Sequence, residues 1–363
     1  MKILDKYVVS EIVFPLISGI LAFSFILSGS TILPKLVSDA IKYNIPVQDI
    51  LLLISLKMPY VFSLAIPMAT LFATITVFGR LGNDLEIIAL RANGINVIRL
   101  LYPIVIIGMV ISLVAFTLME VVVPRASTTA STIFLNYKVS KKTVLKKNID
   151  IMLKDKAGKP SRTISIGEMD NEKLRDITVI EYENGQLVRL IRADKGSFIA
   201  GGSWNFFDGI MHHFHPKEPA KITVIKFVEE VINMKLNPLT IQNRKKKVEE
   251  MTRKELIDRI EFEAQSGKDP IKIIMDYHMK LSVSFSCLIY AILGTAMGLT
   301  PHRSSSALGL GLSLLIILLY VILGSIAMAI GLLHLLPPIL AAWIPNIVIG
   351  TLGLILLRKR AMQ

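Results

Sequence analysis

Six long apolar runs restrict the fold of this chain more than any other feature of its sequence. A run of about 18 or more apolar residues is long enough to cross the hydrocarbon core of a bilayer as a helix. The first run begins too late, and has too many successors, to be only a cleaved signal peptide. The sequence therefore predicts a polytopic membrane protein, with spans at approximately residues 12–33, 50–78, 100–123, 281–299, 307–330 and 339–357.

A polar region separates the third run from the fourth. It is rich in Lys and Arg, and it contains short segments of β-branched and aromatic residues with partial alternation, which is typical of strands. We predict a membrane α-helical fold of six transmembrane helices, three before and three after an inserted all-β, jelly-roll-like domain. Its interior is either an ordinary sandwich core or a groove for acyl chains. The predicted domains are an N-terminal membrane half at 1–123, the β-domain at 124–240, a helical connector at 241–280 and a C-terminal membrane half at 281–363.

The distribution of Lys and Arg in the short loops predicts the orientation, because cytoplasmic loops carry an excess of these residues. With both termini inside, the cytoplasmic side holds most of the loop cations, whereas the short outer loops carry only Lys35 and Lys42. The β-domain then lies outside. The cytoplasmic set is Lys2, Lys6, Arg80, Arg91, Arg99, Arg303, Arg358, Lys359 and Arg360.

A short charged segment, GRLGNDLEIIALRANGIN at 79–96, interrupts the apolar sequence between the second and third runs. Asn83 and Glu86 have the N-cap and N3 spacing of a capping box, and Gly94 suits a left-handed C-terminal position. We predict a short cytoplasmic helix over 84–92. It is either a structural surface helix or a docking helix that offers Glu86 to a partner.

Signatures of catalysis are missing from the sequence. There is no G-x-x-x-x-G-K-[ST] phosphate loop, no H-E-x-x-H and no G-x-S-x-G. His213 and His215 share one face of a predicted strand, but zinc sites usually have three or four ligands, so we predict no metal site. Gly294 and Gly298 have small-xxx-small spacing, which favours close helix packing. We therefore expect a non-catalytic subunit that itself binds no cofactor.

Three lysines lie near the predicted outer membrane surface: Lys35 ends the first run, Lys57 lies within the second and Lys280 opens the fourth. Long cationic side chains are tolerated at such positions because they reach the headgroup layer. Alternatively, they form a cationic ring that binds an anionic lipid, since phosphates are natural partners of cationic side chains. We retain Lys35, Lys57 and Lys280 as candidate lipid-binding residues.

Several segments together resemble one known family. AIPMATLFATITVFGRLGNDLEIIALRANGIN (65–96) resembles the second helix and following loop of the LptF/LptG (YjgP/YjgQ) permeases of lipopolysaccharide export. LDKYVVSEIVFP (4–15), MTRKELIDRI (251–260) and LPPILAAWIPNIVIGTLGLILLRK (336–359) also resemble the corresponding segments of that family. The resemblance covers nearly the whole chain in one order.

This resemblance implies a permease subunit of an ABC transporter in the bacterial inner membrane. It would extract lipopolysaccharide or a related glycolipid and pass it to periplasmic jelly-roll bridge proteins. The implied partners are a second permease of the family, or a second copy, and a cytoplasmic ATPase dimer that binds ATP and magnesium. The segment 84–92 would be the coupling helix, with Asp84, Glu86 and Arg91 as ATPase contacts, and the β-domain would be periplasmic.

Two other functions compete with this interpretation. A non-transport membrane scaffold would use its β-domain to bind a periplasmic partner protein, and it would carry no lipid when purified. A secondary transporter is disfavoured because the apolar runs contain no carboxylate at mid-membrane depth and show no detectable inverted repeat.

Overall fold

In the computed structural model, the chain divides into two compact units. The first, here called the membrane unit, comprises Met1–Lys138, Val248–Thr252 and Ile274–Gln363, and the second comprises Val139–Lys247 and Arg253–Ile273. The described residues are 3–94, 98–141, 149–154, 160–170, 173–183, 186–199, 203–215, 218–233, 246–266, 268–299 and 306–361.

The first half of the chain contains three helices that are long and apolar enough to cross a membrane. A π turn at Ser28–Ile32 follows the first of these helices, and another at Leu118–Val122 lies within the third. The first helix runs unbroken from Ile3 to Leu27, with Pro15 inside it. The helices are α1 (Ile3–Leu27), α2 (Leu33–Tyr43), α3 (Val47–Asn83), α4 (Glu86–Ala92), α5 (Ile98–Thr117) and α6 (Val123–Lys141).

The second half of the chain contains three more helices of membrane-spanning length and composition. They are preceded by a 3₁₀ turn at Val248–Glu250 and a polar helix, and together they confirm the expected six spans. These helices are α7 (Arg253–Gln265), α8 (Ile271–Gly298), α9 (Ser306–Leu332) and α10 (Pro338–Ala361).

Helix α3 is the most buried of the six membrane-spanning helices. Its close neighbour is α8, where a side chain at Gly298 would lie 2.6 Å from Phe78 Cβ and 2.9 Å from the Gly79 nitrogen. A side chain at Gly294 would lie 2.0 Å from Thr74 Oγ1. The predicted close packing at these two glycines is therefore confirmed, because only glycine lets the two helices approach this far.

The second unit contains one six-stranded antiparallel sheet in which every strand pairs with its sequence neighbour. The inserted all-β domain is thus confirmed, and its described strands form an up-and-down meander without the Greek-key order of a jelly roll. One face packs around Trp204 and Phe206 and is covered by Phe262 of α7. The strands are β1 (Ile149–Lys154), β2 (Pro160–Asp170), β3 (Lys173–Glu183), β4 (Gln186–Ile199), β5 (Ser203–His215) and β6 (Glu218–Asn233).

Candidate functional site

The connection between α3 and α4 is a tight turn of two residues. Helix α3 includes Asn83, Asp84 caps it by donating its backbone N–H to the Arg80 carbonyl at 2.9 Å, and α4 begins at Glu86. Leu85 adopts a left-handed conformation, with φ of +59°. This conformation costs a residue with a Cβ about 1 kcal/mol. The prediction that Asn83 caps the start of α4 was wrong, because α3 continues through it.

Helix α4 has two different faces. Ile87 is 6 % exposed and packs, with Leu90, into a cluster that contains Val8 of α1, Phe78 of α3 and Leu100 of α5. The opposite face exposes an apolar stripe of Leu85, Ile88, Ala89 and Ala92. Leu85 is 60 % exposed and Ile88 is 58 % exposed. A helix of only two turns therefore has one anchored face and one open apolar face.

Helix α1 is tied to this region by three polar contacts. Tyr7 donates its hydroxyl to both Glu86 carboxylate oxygens, at 2.9 and 3.1 Å. Glu11 forms an ion pair with Arg80 at the end of α3.

The third contact joins the buried carboxylate of Asp5 to the Arg99 guanidinium of α5, at 2.9 Å. Sequence reasoning did not identify these α1 residues as part of the site. The signal in the sequence was charge: Asp5 and Glu11 are the acidic residues of α1, whereas Arg80 lies at the start of the charged segment and Arg99 lies just after its end.

The predicted docking residues Asp84 and Glu86 are two residues apart: Asp84 lies in the turn that follows α3, and Glu86 is the first residue of α4. Asp84 is exposed, and Glu86 is half-buried by its contact with Tyr7. Arg91 lies in the last turn of α4, and its side chain is outside the described residues. We call the exposed surface of α4 with Asp84 and Glu86 the α4 site. It combines negative charge with open apolar area.

The three candidate lipid-binding lysines are in different environments. Lys35 is exposed on α2. Lys57 of α3 forms an ion pair with Glu250 at 4.0 Å. Lys280 of α8 is 3 % exposed, and its ammonium group donates a hydrogen bond to the Met251 carbonyl. Two of the three lysines therefore hold the segment Val248–Thr252, which we call the strap.

The histidines of β5 do not assemble a metal site within the described residues. The rings of His213 and His215 contact each other edge to face, with centroids 5.2 Å apart. Across the described chain, no group of three or more His, Cys, Asp or Glu side chains is arranged to hold a metal ion. The lone Cys287 is buried in α8.

Two sets of three membrane-spanning helices, with an inserted β-sheet unit and a short helix exposed between the second and third spans, define a multi-pass membrane protein. The sequence profile described as "Lipopolysaccharide export system permease LptF/LptG" matches residues 6–359. The chain belongs to this family, as its sequence motifs predicted, and the family is a non-catalytic component of a transporter. A search of curated proteins finds no match to the chain.

Proposed function

We propose that this chain is the permease subunit of an ABC transporter that extracts lipopolysaccharide, or a related glycolipid, from the inner membrane. A periplasmic bridge would receive the lipid, and a separate ATPase dimer would supply the energy. A second permease, either a family relative or a second copy, would complete the membrane part. The observation that carries this proposal is the α4 site, an anchored helix with an exposed apolar and acidic surface, in a chain of the lipopolysaccharide export family.

Both termini and the α4 site would lie in the cytoplasm, with the β-sheet unit in the periplasm. The argument is the excess of Lys and Arg on the side that contains residue 91 and residues 358–360. An ATPase in the cytoplasm would then meet α4 directly. ATP and magnesium would be bound by that partner, since the sequence contains no phosphate loop.

The α4 site has the composition of a docking surface. Leu85 and Ile88 supply apolar area that a partner would remove from water, while Asp84 and Glu86 give the surface a charge that a basic groove would recognise. The inner face of α4 would transmit force to the membrane helices, because Ile87 is packed against three of them. Asp84, Glu86 and Arg91 would therefore be the ATPase contacts, with Glu86 at the centre.

The phosphate groups of the lipid would bind to the three candidate lysines near the outer membrane surface. Lys35 is the accessible member of the three, and Lys57 retains partial exposure beside its ion pair with Glu250. Lys280 would bind a phosphate only after leaving its buried position under the strap. As proposed lipid contacts, we therefore rank Lys35 and Lys57 above Lys280.

The docking role is tested by Glu86→Lys in the full-length chain, purified with its ATPase. Reversing the charge on a docking surface should reduce ATPase association about tenfold or more. Glu261→Lys on the exposed face of α7 is the matched control, because it makes the same charge change elsewhere. Tyr7→Phe removes the hydroxyl contact and keeps the Glu86 carboxylate, so it should retain association.

Undiminished association and unchanged ATP-driven lipid release in Glu86→Lys would rule out the docking role. Mass spectrometry of lipid that co-purifies with the wild-type protein tests the cargo. A purified complex without lipopolysaccharide or related glycolipid, and without ATP-dependent lipid release, would favour the scaffold alternative.

A further inference from the structure

The strap belongs to a different unit from the residues on both sides of it. Val248–Thr252 is part of the membrane unit, whereas Val139–Lys247 and Arg253–Ile273 form the second unit. The chain therefore leaves the second unit, contributes five residues to the membrane unit, and returns. Such a short excursion keeps its position only if its side chains are held firmly.

The strap is held by three helices of the membrane unit. Glu250 is 5 % exposed and accepts a hydrogen bond of 2.5 Å from the Ser131 hydroxyl of α6. The same carboxylate forms the ion pair with Lys57 of α3. Met251 is fully buried, and its carbonyl accepts the hydrogen bond from Lys280 of α8. A buried carboxylate with cationic and hydroxyl partners is costly to separate from them.

One of these helices also leads to the α4 site. From Lys57 to Asn83, α3 extends for about 39 Å at 1.5 Å per residue. Its far end is tied to α1 through the Arg80–Glu11 ion pair, and it connects to α4 by two residues. A packed, continuous helix therefore connects α4 to the place where the strap is attached.

We infer that the strap is the mechanical link through which movement of the membrane helices is passed to the β-sheet unit, with Glu250 as its positioning residue. The inference rests on the proposed function, because it assumes that an ATPase moves α4. Glu250 lies outside the docking surface and is not itself a proposed lipid contact, although it pairs with Lys57. Its loss should separate ATP hydrolysis from lipid release.

The test is Glu250→Ala in the full-length permease, assembled with its ATPase and companion permease in vesicles that contain lipopolysaccharide. ATP hydrolysis should stay within about twofold of wild type, while lipid released per ATP should fall about tenfold. Glu250→Gln keeps an oxygen for the Ser131 hydroxyl, so it should recover part of the loss. Glu261→Ala, an exposed carboxylate on α7, should behave as wild type.

Unchanged lipid release per ATP in Glu250→Ala would overturn the inference, as would a loss of the same size in Glu261→Ala. These outcomes differ from failure of the proposed function, in which the wild-type complex itself releases no lipopolysaccharide when ATP is added. That result would contradict both proposals.

A second variant covers the case in which Glu250→Ala does not assemble. Ser131→Cys combined with Glu250→Cys can be bridged by a short, reducible bis-thiosulfonate reagent, and the native Cys287 is fully buried and out of its reach. Bridging should restore lipid release per ATP to about half of wild type or more, and reduction should lower it again. Loss of release on bridging, or no response to reduction, would show that transport does not depend on an attached strap.

Discussion

Helix α3 is tied to the rest of the membrane unit in two different ways at its two ends. Near Asn83, its Arg80–Glu11 ion pair is partly exposed, and the neighbouring α4 presents Leu85 and Ile88 to the outside. Near Lys57, the contacts converge on Glu250, which is buried and has partners on α3 and α6.

The difference indicates which end can exchange its partners. Exposed ion pairs contribute about 1 kcal/mol or less, so the α4 end can rearrange its contacts when a partner binds. Removing one partner of a buried ion pair costs about 3 kcal/mol or more, so the strap end should keep its contacts while the helix moves. The α4 end of α3 is therefore suited to bind and respond to a partner, and the end near Lys57 is suited to keep hold of the strap while α3 moves.

The largest expected effect comes from separating α3 from α8 between these two ends. Gly298→Val places side-chain atoms where Phe78 and the Gly79 backbone already lie, so it should destabilise the protein by about 3 kcal/mol. Thermal unfolding in detergent measures this loss. Gly311→Val is the control, since no atom lies within 4 Å of its added Cβ. Equal unfolding temperatures for the two variants would contradict the close α3–α8 packing.

A smaller loss is expected at the strap end. Lys280→Ala removes the donor to the Met251 carbonyl and leaves a cavity, which together cost about 2 kcal/mol. Lys35→Ala changes the same residue type on the exposed surface of α2, so it should shift stability by less than about 0.5 kcal/mol. Thermal unfolding of both variants gives the comparison. Similar stabilities for the two would mean that Lys280 does not hold the strap.

The smallest loss is expected at the α4 end. Glu11→Gln removes the charge that faces Arg80, and because both groups are partly exposed the cost should be less than about 1 kcal/mol. The loss should shrink further as salt is added, since exposed ion pairs are screened. Unfolding temperatures at low and high ionic strength measure this. A loss as large as that of Lys280→Ala would remove the proposed difference between the two ends.

Sequence patterns with a local physical cause predicted their structures well. The six apolar runs correspond to six membrane-spanning helices, because the ability of a helix to cross a membrane depends on the length and composition of the run alone. Gly94 has φ of +75°, as expected for a residue that ends a short helix. Gly294 and Gly298 predicted a close helix contact because their spacing puts both on one face of α8.

Features that depend on distant partners could not be predicted in the same way. Asn83 and Glu86 fitted a capping box, but the Glu86 carboxylate accepts its hydrogen bond from Tyr7, 79 residues away in sequence. The strap sequence VEEMT has no pattern that indicates burial. Glu250 is buried because Lys57 and Ser131 come from two separate helices, and that convergence is set by tertiary packing.

Because only two residues connect α3 to α4, the number of residues in this connection constrains the orientation of α4 more than their identity does. Each residue of an α-helix advances by about 100° around its axis. One residue added before Ile87 would therefore rotate α4 by more than a quarter turn, and the side chain that fills the cluster between α1, α3 and α5 would point elsewhere. A substitution on the exposed surface beside residues 84 and 85 would leave the orientation of α4 unchanged. A single insertion or deletion there would instead rotate that surface away from a bound partner.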